Sequence, residues 1–395
     1  MEAHLLERVN LHLENLSLTC FDALASAGAL LANPKSSDST RRAVVESLSR
    51  LVFLGNADCP FLRCAVKLLG GLAAQHSALA PSILQLLVPL LTGNKALAVD
   101  VLASLSSIDG FLLDYNLLLL LASSPVVSLR SMAVRLLVSS LDGDKPITVV
   151  MNSHSMIQVL LGLADDIYPL IRANAVDGLA SLCRQTRFGV SLQIAKCLYD
   201  CAASLLHNEN ELVKLSAIRL ISSCGEVLER NKADTCYREL MDAIFLQLCV
   251  MARDMNMKVR VEAFSSLQKV QGVSETMLLQ SLSKKILGTQ SIQNPLIEHN
   301  LRNFKFPFSS SAGAFVHGIE DEFHEVRLAA CKSLGTLTIL SVQFAAAAMD
   351  LLMDLLNDDA IVIRLQCLEA LYQMATNDQL VILKKHMDMV RSRSL

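Results

Sequence analysis

IEDEFHEVRLAACKSLGTL, residues 319 to 337, is an acidic turn that leads directly into a ladder of apolar residues. The ladder residues follow one another at spacings of four, four and three, which places them on one face of a helix: Val326, Ala330, Leu334 and Leu337. Asp321 precedes the helix, and Glu322 and Glu325 lie near its start, where negative charge meets the free backbone N–H groups. The stretch predicts a helix with one buried stripe.

The same frame returns elsewhere in the chain. Arg327 serves as an index residue, with a small or apolar residue three positions later and an apolar residue seven positions later. The frame occurs at these index residues: Arg130, Arg172, Lys214, Arg260, Arg327 and Arg364. An aspartate stands six residues before four of them: Asp166, Asp254, Asp321 and Asp358. Residue type and position therefore repeat together.

The spacing of the index residues identifies the repeat. Successive index residues from position 130 to position 260 are 42, 42 and 46 residues apart, and the last two are 37 apart. A period of about 40 to 47 residues is that of two-helix HEAT or armadillo units. A second helix is predicted between index residues, as at 190–206, 238–252 and 344–357. The sequence predicts an all-α fold, an α-α superhelix of the HEAT or armadillo type with about eight or nine helical hairpins.

The frame also predicts the domain organisation. Residues 1–56 are expected to form N-terminal capping helices, because end repeats face water on one side and are atypical. HEAT repeats are expected over 57–285, where the frame weakens around Arg63, and again over 313–395. The segment between them, 286–312, contains two prolines and three consecutive serines. It is predicted to be a loop insertion.

Bulk composition agrees with stacked helices. Hydrophobic residues make up 52% of the chain and charged residues 18%, with a mean hydropathy of +0.42. Helices that are covered on two sides explain this composition without a membrane. The strongest apolar run, 116–127, is broken by serines and Pro125 well short of a membrane span. The N-terminus mixes acidic residues into its leucines, unlike a signal peptide, so an intracellular protein without membrane insertion is expected.

The sequence offers no constellation for catalysis. It has no G-x-S-x-G, phosphate-binding loop or dinucleotide fingerprint, and His324-Glu325 lacks the second histidine of a zinc-protease helix. The pairs Asp165-Asp166 and Asp358-Asp359 fit helix capping better than acid and base work. We therefore expect no enzyme, no cofactor and no metal.

The cysteine spacing and the net charge argue against two further classes of protein, zinc-binding proteins and nucleic-acid-binding proteins. Cys197 and Cys201 are four residues apart on a predicted helix, but no ligand pair follows at zinc spacing. Other cysteines fall within apolar helical patterns and are expected to be buried: Cys183, Cys224, Cys249, Cys331 and Cys367. The net charge of −3, without a run of Lys or Arg, argues against direct nucleic-acid binding.

Two sets of site residues emerge. The first is an inter-repeat ladder in which each index arginine is expected near the aspartate of an adjacent unit: Asp166, Arg172, Asp254, Arg260, Asp321, Arg327, Asp358 and Arg364. The second is a candidate partner-binding loop whose basic and aromatic residues alternate: Arg302, Phe304, Lys305, Phe306 and Phe308. The alternative interpretation of this loop is that its phenylalanines pin it onto its own array.

The motifs resemble a known family. The combination GAFVHG, acidic turn, EVR within 313–334, the stretch DLLMDLLNDDAIVIRLQCLEALYQM at 350–374 and MLLQSLSKKILG at 277–288 are similar to the Integrator complex subunit 4 family, particularly its plant branch, the SIEL proteins. The resemblance covers most of residues 57 to 380. Family members continue with more repeats and a C-terminal domain, so a truncated form is expected.

The resemblance implies a function. It implies a non-catalytic HEAT-repeat scaffold subunit of the nuclear Integrator complex, which supports the paired endonuclease subunits in snRNA 3'-end processing and nascent transcript cleavage. For the plant branch it implies, as the alternative, an adaptor that promotes intracellular and cell-to-cell trafficking of mobile transcription factors. The expected location is the nucleus, and for the alternative also the cytoplasm and endosomes.

Overall fold

The fold is that of a computed structural model. It describes residues 7, 20–33, 36–54, 60–93, 97–105, 112–141, 148–150, 152–232, 237–285, 311–380, 382 and 386. Contacts divide the chain into two compact units, Met1–Leu163 (unit 1) and Ala164–Leu395 (unit 2). The domain boundaries at 56, 285 and 312 stay predictions, and the boundary at 163 has no counterpart among them.

Unit 1 is built from mostly short helices. Its elements, in chain order, are α1 (Cys20–Ala32), α2 (Asp38–Leu54), α3 (Pro60–Gln75), α4 (Ala80–Leu87), α5 (Leu90–Gly93), α6 (Ala98–Leu105), β1 (Leu112–Asp114), α7 (Tyr115–Ala122), α8 (Val127–Leu141), β2 (Thr148–Val150) and α9 (Ser153–Ala164), the last of which ends at the boundary. Helix α3 is central, since α1, α2, α4 and α6 all pack on it. Gly70 lets α3 approach α6 closely, because a Cβ there would lie 2.5 Å from Ser104 Cβ.

Unit 1 departs from the all-α prediction at one place. Strands β1 and β2 form a short parallel pair, with Leu113 opposite Val149. The two β-branched valines of β2 and the proline at position 146 disfavour helix there. The apolar run at 116–127, excluded above as a membrane span, forms most of α7 and the start of α8. Among the described residues, no helix is long and apolar enough to cross a membrane.

Unit 2 contains longer and more regular helices. They are α10 (Pro169–Arg184), α11 (Leu192–Leu205), α12 (Glu211–Glu229), α13 (Tyr237–Met251), α14 (Met257–Leu267), α15 (Glu275–Leu282), α16 (Ala314–Ile319), α17 (His324–Thr338), α18 (Val342–Leu355) and α19 (Ile361–Thr376). The predicted second helices at 190–206, 238–252 and 344–357 correspond to α11, α13 and α18. The sequence pattern therefore located both helices of these hairpins.

The helices that carry the index residues stack in chain order. These index helices are α10, α12, α14, α17 and α19, and each packs against the next. Helices α11, α13 and α18 pack on them as the second layer. This arrangement of successive hairpins confirms the predicted all-α, HEAT or armadillo-type class. Phe315 joins the layers in the middle of the unit, with its ring centroid 5.6 Å from that of Phe264 and 6.3 Å from that of Phe344.

The stretch that defined the frame lies where the pattern predicted. All members of its apolar ladder are fully buried in α17: Val326, Ala330, Leu334 and Leu337. Glu322 lies in the turn before the helix, and α17 begins at His324, so only Glu325 stands in its first turn. The cysteines predicted to be buried are all buried, because at these positions a thiol takes the place of a small apolar side chain.

Candidate functional site

Each index helix of unit 2 is preceded by a turn with a fixed internal hydrogen bond. The side chain six residues before the index residue accepts a hydrogen bond from the backbone N–H two positions later. The distances lie between 2.8 and 3.0 Å in every case: Tyr168 N to Asp166, Asn210 N to Asn208, Asn256 N to Asp254, Phe323 N to Asp321 and Ala360 N to Asp358. One side-chain oxygen therefore shapes the turn, and a carboxylate keeps its second oxygen for another donor.

The index arginines reach back to the same turns. Arg327 Nη1 donates to the carbonyl oxygens of Asp321, at 3.0 Å, and Glu322, at 3.2 Å. The equivalent pairs of bonds, six and five residues back, are made by Arg172, Arg260 and Arg364. In unit 1, Arg130 Nη1 donates 2.8 Å to the carbonyl of Ser124, again six residues back. These bonds satisfy turn carbonyls and hold the guanidinium in one orientation.

The remaining N–H groups of the guanidinium contact the turn of the next helical hairpin along the chain. Arg327 forms a two-point contact with Asp358, from Nε to Oδ2 at 2.7 Å and from Nη2 to Oδ1 at 3.0 Å. Its Nη2 also donates to Asp359 Oδ1 at 2.6 Å. Planar guanidinium and carboxylate groups match in this geometry, which makes the contact directional as well as strong.

The same contact recurs at the neighbouring junctions, where one index helix packs on the next, but the interacting groups differ. Arg260 Nη2 donates to Asp321 Oδ1 at 3.0 Å, and the guanidinium carbon lies 5.6 Å from the centroid of the Phe323 ring. Lys214 Nζ lies 2.6 Å from Asp254 Oδ2. The structure thus places the aspartates at 254, 321 and 358 in contact with the index residue of the preceding helical hairpin.

The first junction of unit 2 differs from the predicted pairing. Arg172 Nη2 donates to Asn208 Oδ1 at 3.4 Å, so its forward partner is an amide. Asn208 stands six residues before Lys214, in the slot that aspartate fills elsewhere. Asp166 and Arg172 contact each other through the Asp166 carbonyl, because they belong to the same turn. A repeat pattern restricted to aspartate does not include Asn208, although the offset of Asn208 from Lys214 places it in the same slot.

Burial strengthens the Arg327 junction. The side chains of Arg327 and Asp358 are only 12% and 7% exposed. Hydrogen bonds to Asp358 raise the pKa of Arg327 further above its ordinary value. Desolvation by itself raises the pKa of Asp358, but the hydrogen bonds from Arg327 and the Ala360 amide outweigh it, and the pKa lies below its ordinary value. Both groups therefore stay charged at neutral pH.

A second charge cluster, missed from the sequence, joins three index helices. Arg219 on α12 contacts Glu262 on α14, with Nε to Oε1 at 3.1 Å, and Asp177 on α10, with Nη1 to Oδ1 at 3.5 Å. The three residues are 42 and 43 positions apart, one repeat each. Burial raises the pKa of the Asp177 carboxyl despite the nearby Arg219. The repeat spacing applied to charged residues would have found this cluster.

Apart from these contacts, the described part of the chain offers few metal-binding groups or clefts that could hold a ligand. Within the described parts of the chain, no group of histidine, cysteine, aspartate and glutamate side chains could hold a metal ion. An open cleft of about 470 Å³ beside the Arg260–Asp321 pair is lined by residues of both signs, including Arg253, His317 and Glu322. Desolvation, Arg253 and Lys284 lower the pKa of His317 there. The candidate loop residues lie outside the described residues: Arg302, Phe304, Lys305, Phe306 and Phe308.

Stacked hairpins joined by an ionic ladder define the class of this protein: a HEAT or armadillo-type helical-repeat protein. Two solved structures share the fold across most of the chain. A Kap95p complex with RanGDP has a TM-score of 0.53 at 13% identity, covering 94% of this chain and 46% of that one. An engineered protein has a TM-score of 0.51 at 15% identity, covering 97% and 92%. No family model matches the chain.

Sequence relatives narrow this class to a family. The chain is 35% identical to Protein SIEL of Arabidopsis thaliana over 95% of its own length, and 26% identical to human Integrator complex subunit 4 over 53%. Integrator complex subunit 4 of Drosophila melanogaster is also 26% identical, over 54%. These matches confirm the resemblance to the Integrator subunit 4 and SIEL family. The chain spans 40% of the length of SIEL and 24% of that of the human relative.

Proposed function

We propose that this protein is a non-catalytic scaffold subunit of an Integrator-type complex in the nucleus, where it supports the endonuclease module in snRNA 3'-end processing and nascent transcript cleavage. The observation that carries the proposal is the similarity to Integrator complex subunit 4 in animals, together with 35% identity to SIEL over nearly the whole chain. The repeat architecture of unit 2 supports it, since such arrays present extended surfaces to partners.

The geometry of unit 2 suits a rigid support. Each junction between index helices combines buried apolar contacts with directional hydrogen bonds from an index residue to the next turn. Such bonds fix the register of neighbouring hairpins, whereas apolar contacts alone tolerate sliding. Exposed apolar residues lie on the turns that the ladder holds, among them Ile167 and Met255, and Leu170 lies at the start of the helix that follows. We propose these turns as contact points for partner subunits.

A second candidate is an adaptor for trafficking of mobile transcription factors, with an endosomal as well as a nuclear location. It is favoured by the higher identity and longer match to SIEL than to the animal Integrator subunits. Both candidates use the array to hold other proteins. They differ in the partner that is held.

Affinity purification separates the two candidates. The tagged 395-residue chain is expressed in plant cells, and the proteins recovered from nuclear and cytoplasmic extracts are identified by mass spectrometry. Recovery of metallo-β-lactamase-type endonuclease subunits from the nuclear extract supports the scaffold. Recovery of transcription factors or endosomal proteins without the endonuclease supports the adaptor. If neither group is recovered above an untagged control, both proposals fail.

We also propose that residues 302–308 anchor a partner of this scaffold. Three phenylalanines alternate there with Arg302 and Lys305, a composition typical of interface anchors. Replacing the three phenylalanines with alanine should reduce partner recovery while the urea unfolding midpoint stays unchanged. The matched control replaces Ser309 and Ser310 with alanine and leaves the buried Ser311 unchanged. A lowered midpoint with normal recovery would show that the rings pin the loop to its own array.

A further inference from the structure

The turn between α7 and α8 carries a serine in the position that aspartate or asparagine occupies in unit 2. Ser124 stands six residues before the index residue Arg130. Its Oγ accepts a hydrogen bond from the Val126 N–H at 3.2 Å, and its carbonyl accepts one from Arg130 Nη1 at 2.8 Å. Both bonds have equivalents in the turns of unit 2. The turn is therefore built in the same way, but with a neutral hydroxyl in place of a carboxylate or an amide.

The hairpin of α7 and α8 also lacks the negative charge of its counterparts. Residues 115–141 include Arg130 and Arg135 but no aspartate or glutamate, whereas each turn before an index helix of unit 2 contains at least one acidic residue. The first N–H groups of α8 have no partner within the helix and carry partial positive charge. An anion on Ser124 would therefore lie beside a guanidinium and a helix N-terminus, in a hairpin without a carboxylate that would repel it.

The residue after Ser124 indicates how this charge is introduced. Pro125 is the only one of the nine prolines in the sequence that follows a serine or a threonine. Proline-directed protein kinases recognise a serine or threonine that is followed by proline. Ser124 is thus the single Ser-Pro or Thr-Pro site in 395 residues. It coincides with the position at which the repeat elsewhere places an acidic or amide side chain.

The turn lies where a kinase can reach it. Ser123 and Pro125 are exposed, and Ser124 is partly exposed. Helix α7 has only eight residues, packs mainly on α8 and β1, and leaves Leu119 and Leu120 open to solvent. A short helix with one face uncovered opens locally at a lower free-energy cost than one covered on two sides. The segment can therefore extend into the active site of a kinase without unfolding of the unit.

We propose that Ser124 is a phosphorylation site for a proline-directed protein kinase, and that its phosphate supplies the charge that aspartate supplies in unit 2. The Ser124 Oγ attacks the γ-phosphorus of ATP, and an O–P bond forms while the bond to the β,γ-bridging oxygen breaks. ADP leaves, and the hydroxyl proton passes through the kinase base to water. The phosphate adds a charge of about −1.5 to −2 and three acceptor oxygens. These oxygens bind the N–H groups at the start of α8 and the Arg130 guanidinium, which holds the turn against α8.

The first test is phosphate transfer to the folded chain. The 395-residue chain is incubated with ATP and a purified proline-directed kinase that phosphorylates a synthetic peptide of residues 119–130, and mass spectrometry maps the sites. We expect phosphate on Ser124. Pro125→Ala should slow the transfer about tenfold or more, whereas Ser123→Ala, at the adjacent exposed serine, should leave the rate unchanged. The proposal is overturned if the peptide is phosphorylated and the folded chain is not, or if no such kinase phosphorylates the peptide.

The second test measures what the phosphate does to the turn. Hydrogen exchange of the amides of residues 118–130, followed by mass spectrometry, should slow about threefold or more after phosphorylation. The slowing should be smaller in Arg130→Gln, which lacks the guanidinium. Ser124→Asp should slow the exchange in the unphosphorylated chain, and Ser123→Asp, the matched control with the same charge one residue earlier, should not. Unchanged or faster exchange on phosphorylation, or equal protection from the two aspartates, would overturn the role of the phosphate.

Discussion

The ion pairs of the two units differ in burial and geometry. In unit 1, Arg63 Nε and Lys67 Nζ on α3 share Asp100 on α6 at 3.5 and 3.6 Å, and the Arg63 side chain is 59% exposed. In unit 2, Arg327 donates two hydrogen bonds to Asp358, at 2.7 and 3.0 Å, and its side chain is 12% exposed. The hydrophobic stripe suffices to stack helices in both units. Only the buried pair adds a directional contact that fixes register.

The largest expected effect is one on which the two units agree. Leu334→Ala removes a fully buried leucine from α17 of unit 2, and Leu69→Ala removes one from α3 of unit 1. We expect each to lower the free energy of unfolding by about 2 to 5 kcal/mol through the cavity left behind. Urea unfolding followed by circular dichroism measures the loss. A loss below about 1 kcal/mol at either site would mean that the buried face of that helix is misassigned.

Removal of an ion pair should destabilise unit 2 more than unit 1. Arg327→Ala leaves the buried Asp358 side chain without its guanidinium partner and removes bonds to two turn carbonyls, so we expect a loss of about 2 to 3 kcal/mol. Arg63→Ala should cost less than about 1 kcal/mol, since water solvates both partners of the exposed pair. Urea unfolding of the two variants gives the comparison. Equal losses would show that burial does not distinguish the pairs.

The pH dependence of unit 2 should report the same junction. The pKa of Asp358 is lowered in the folded protein, so its contribution is present above the unfolded pKa of about 3.9 and lost as pH falls through the folded pKa. Asp358→Asn should therefore cost about 1 to 2 kcal/mol at pH 7 and progressively less below pH ~4. In an Arg327→Ala background the pH dependence of this cost should become smaller, because the bonds from Arg327 are lost and the bond from the Ala360 amide remains. A cost that stays constant from pH 7 to pH 3 would contradict the assignment.

The smallest expected effect concerns the junction that carries an amide. Asn208→Asp would give Arg172 a charged partner while keeping the bond to the Asn210 amide. We expect a gain of about 0.5 kcal/mol, at the level of a partly solvated pair. Thermal unfolding in low salt measures it, and 0.5 M salt should remove it. Asn208→Ala, which loses both bonds, is the matched control and should destabilise.

Unit 2 was largely predictable from its sequence. The index frame located α10, α12, α14, α17 and α19, because an amphipathic stripe needs a fixed spacing whatever it packs against. Unit 1 was less predictable, since its frame is weaker around Arg63 and its parallel strand pair depends on two short segments 36 residues apart. Local patterns do not encode which distant segments pair.

The amino-acid sequence by itself determined the repeat, the buried face of each index helix and the basic residue that starts its frame, since all of these follow from periodicity. The repeat spacing indicates candidate partners, but only the tertiary structure decided which atoms meet and how many partners each basic residue binds: Arg327 reaches two aspartates, Arg172 an asparagine, and Arg219 two carboxylates on different helices. The physical reason is range. Burial patterns are set within one helix, whereas a directional hydrogen bond depends on the rotation and distance of neighbouring helices.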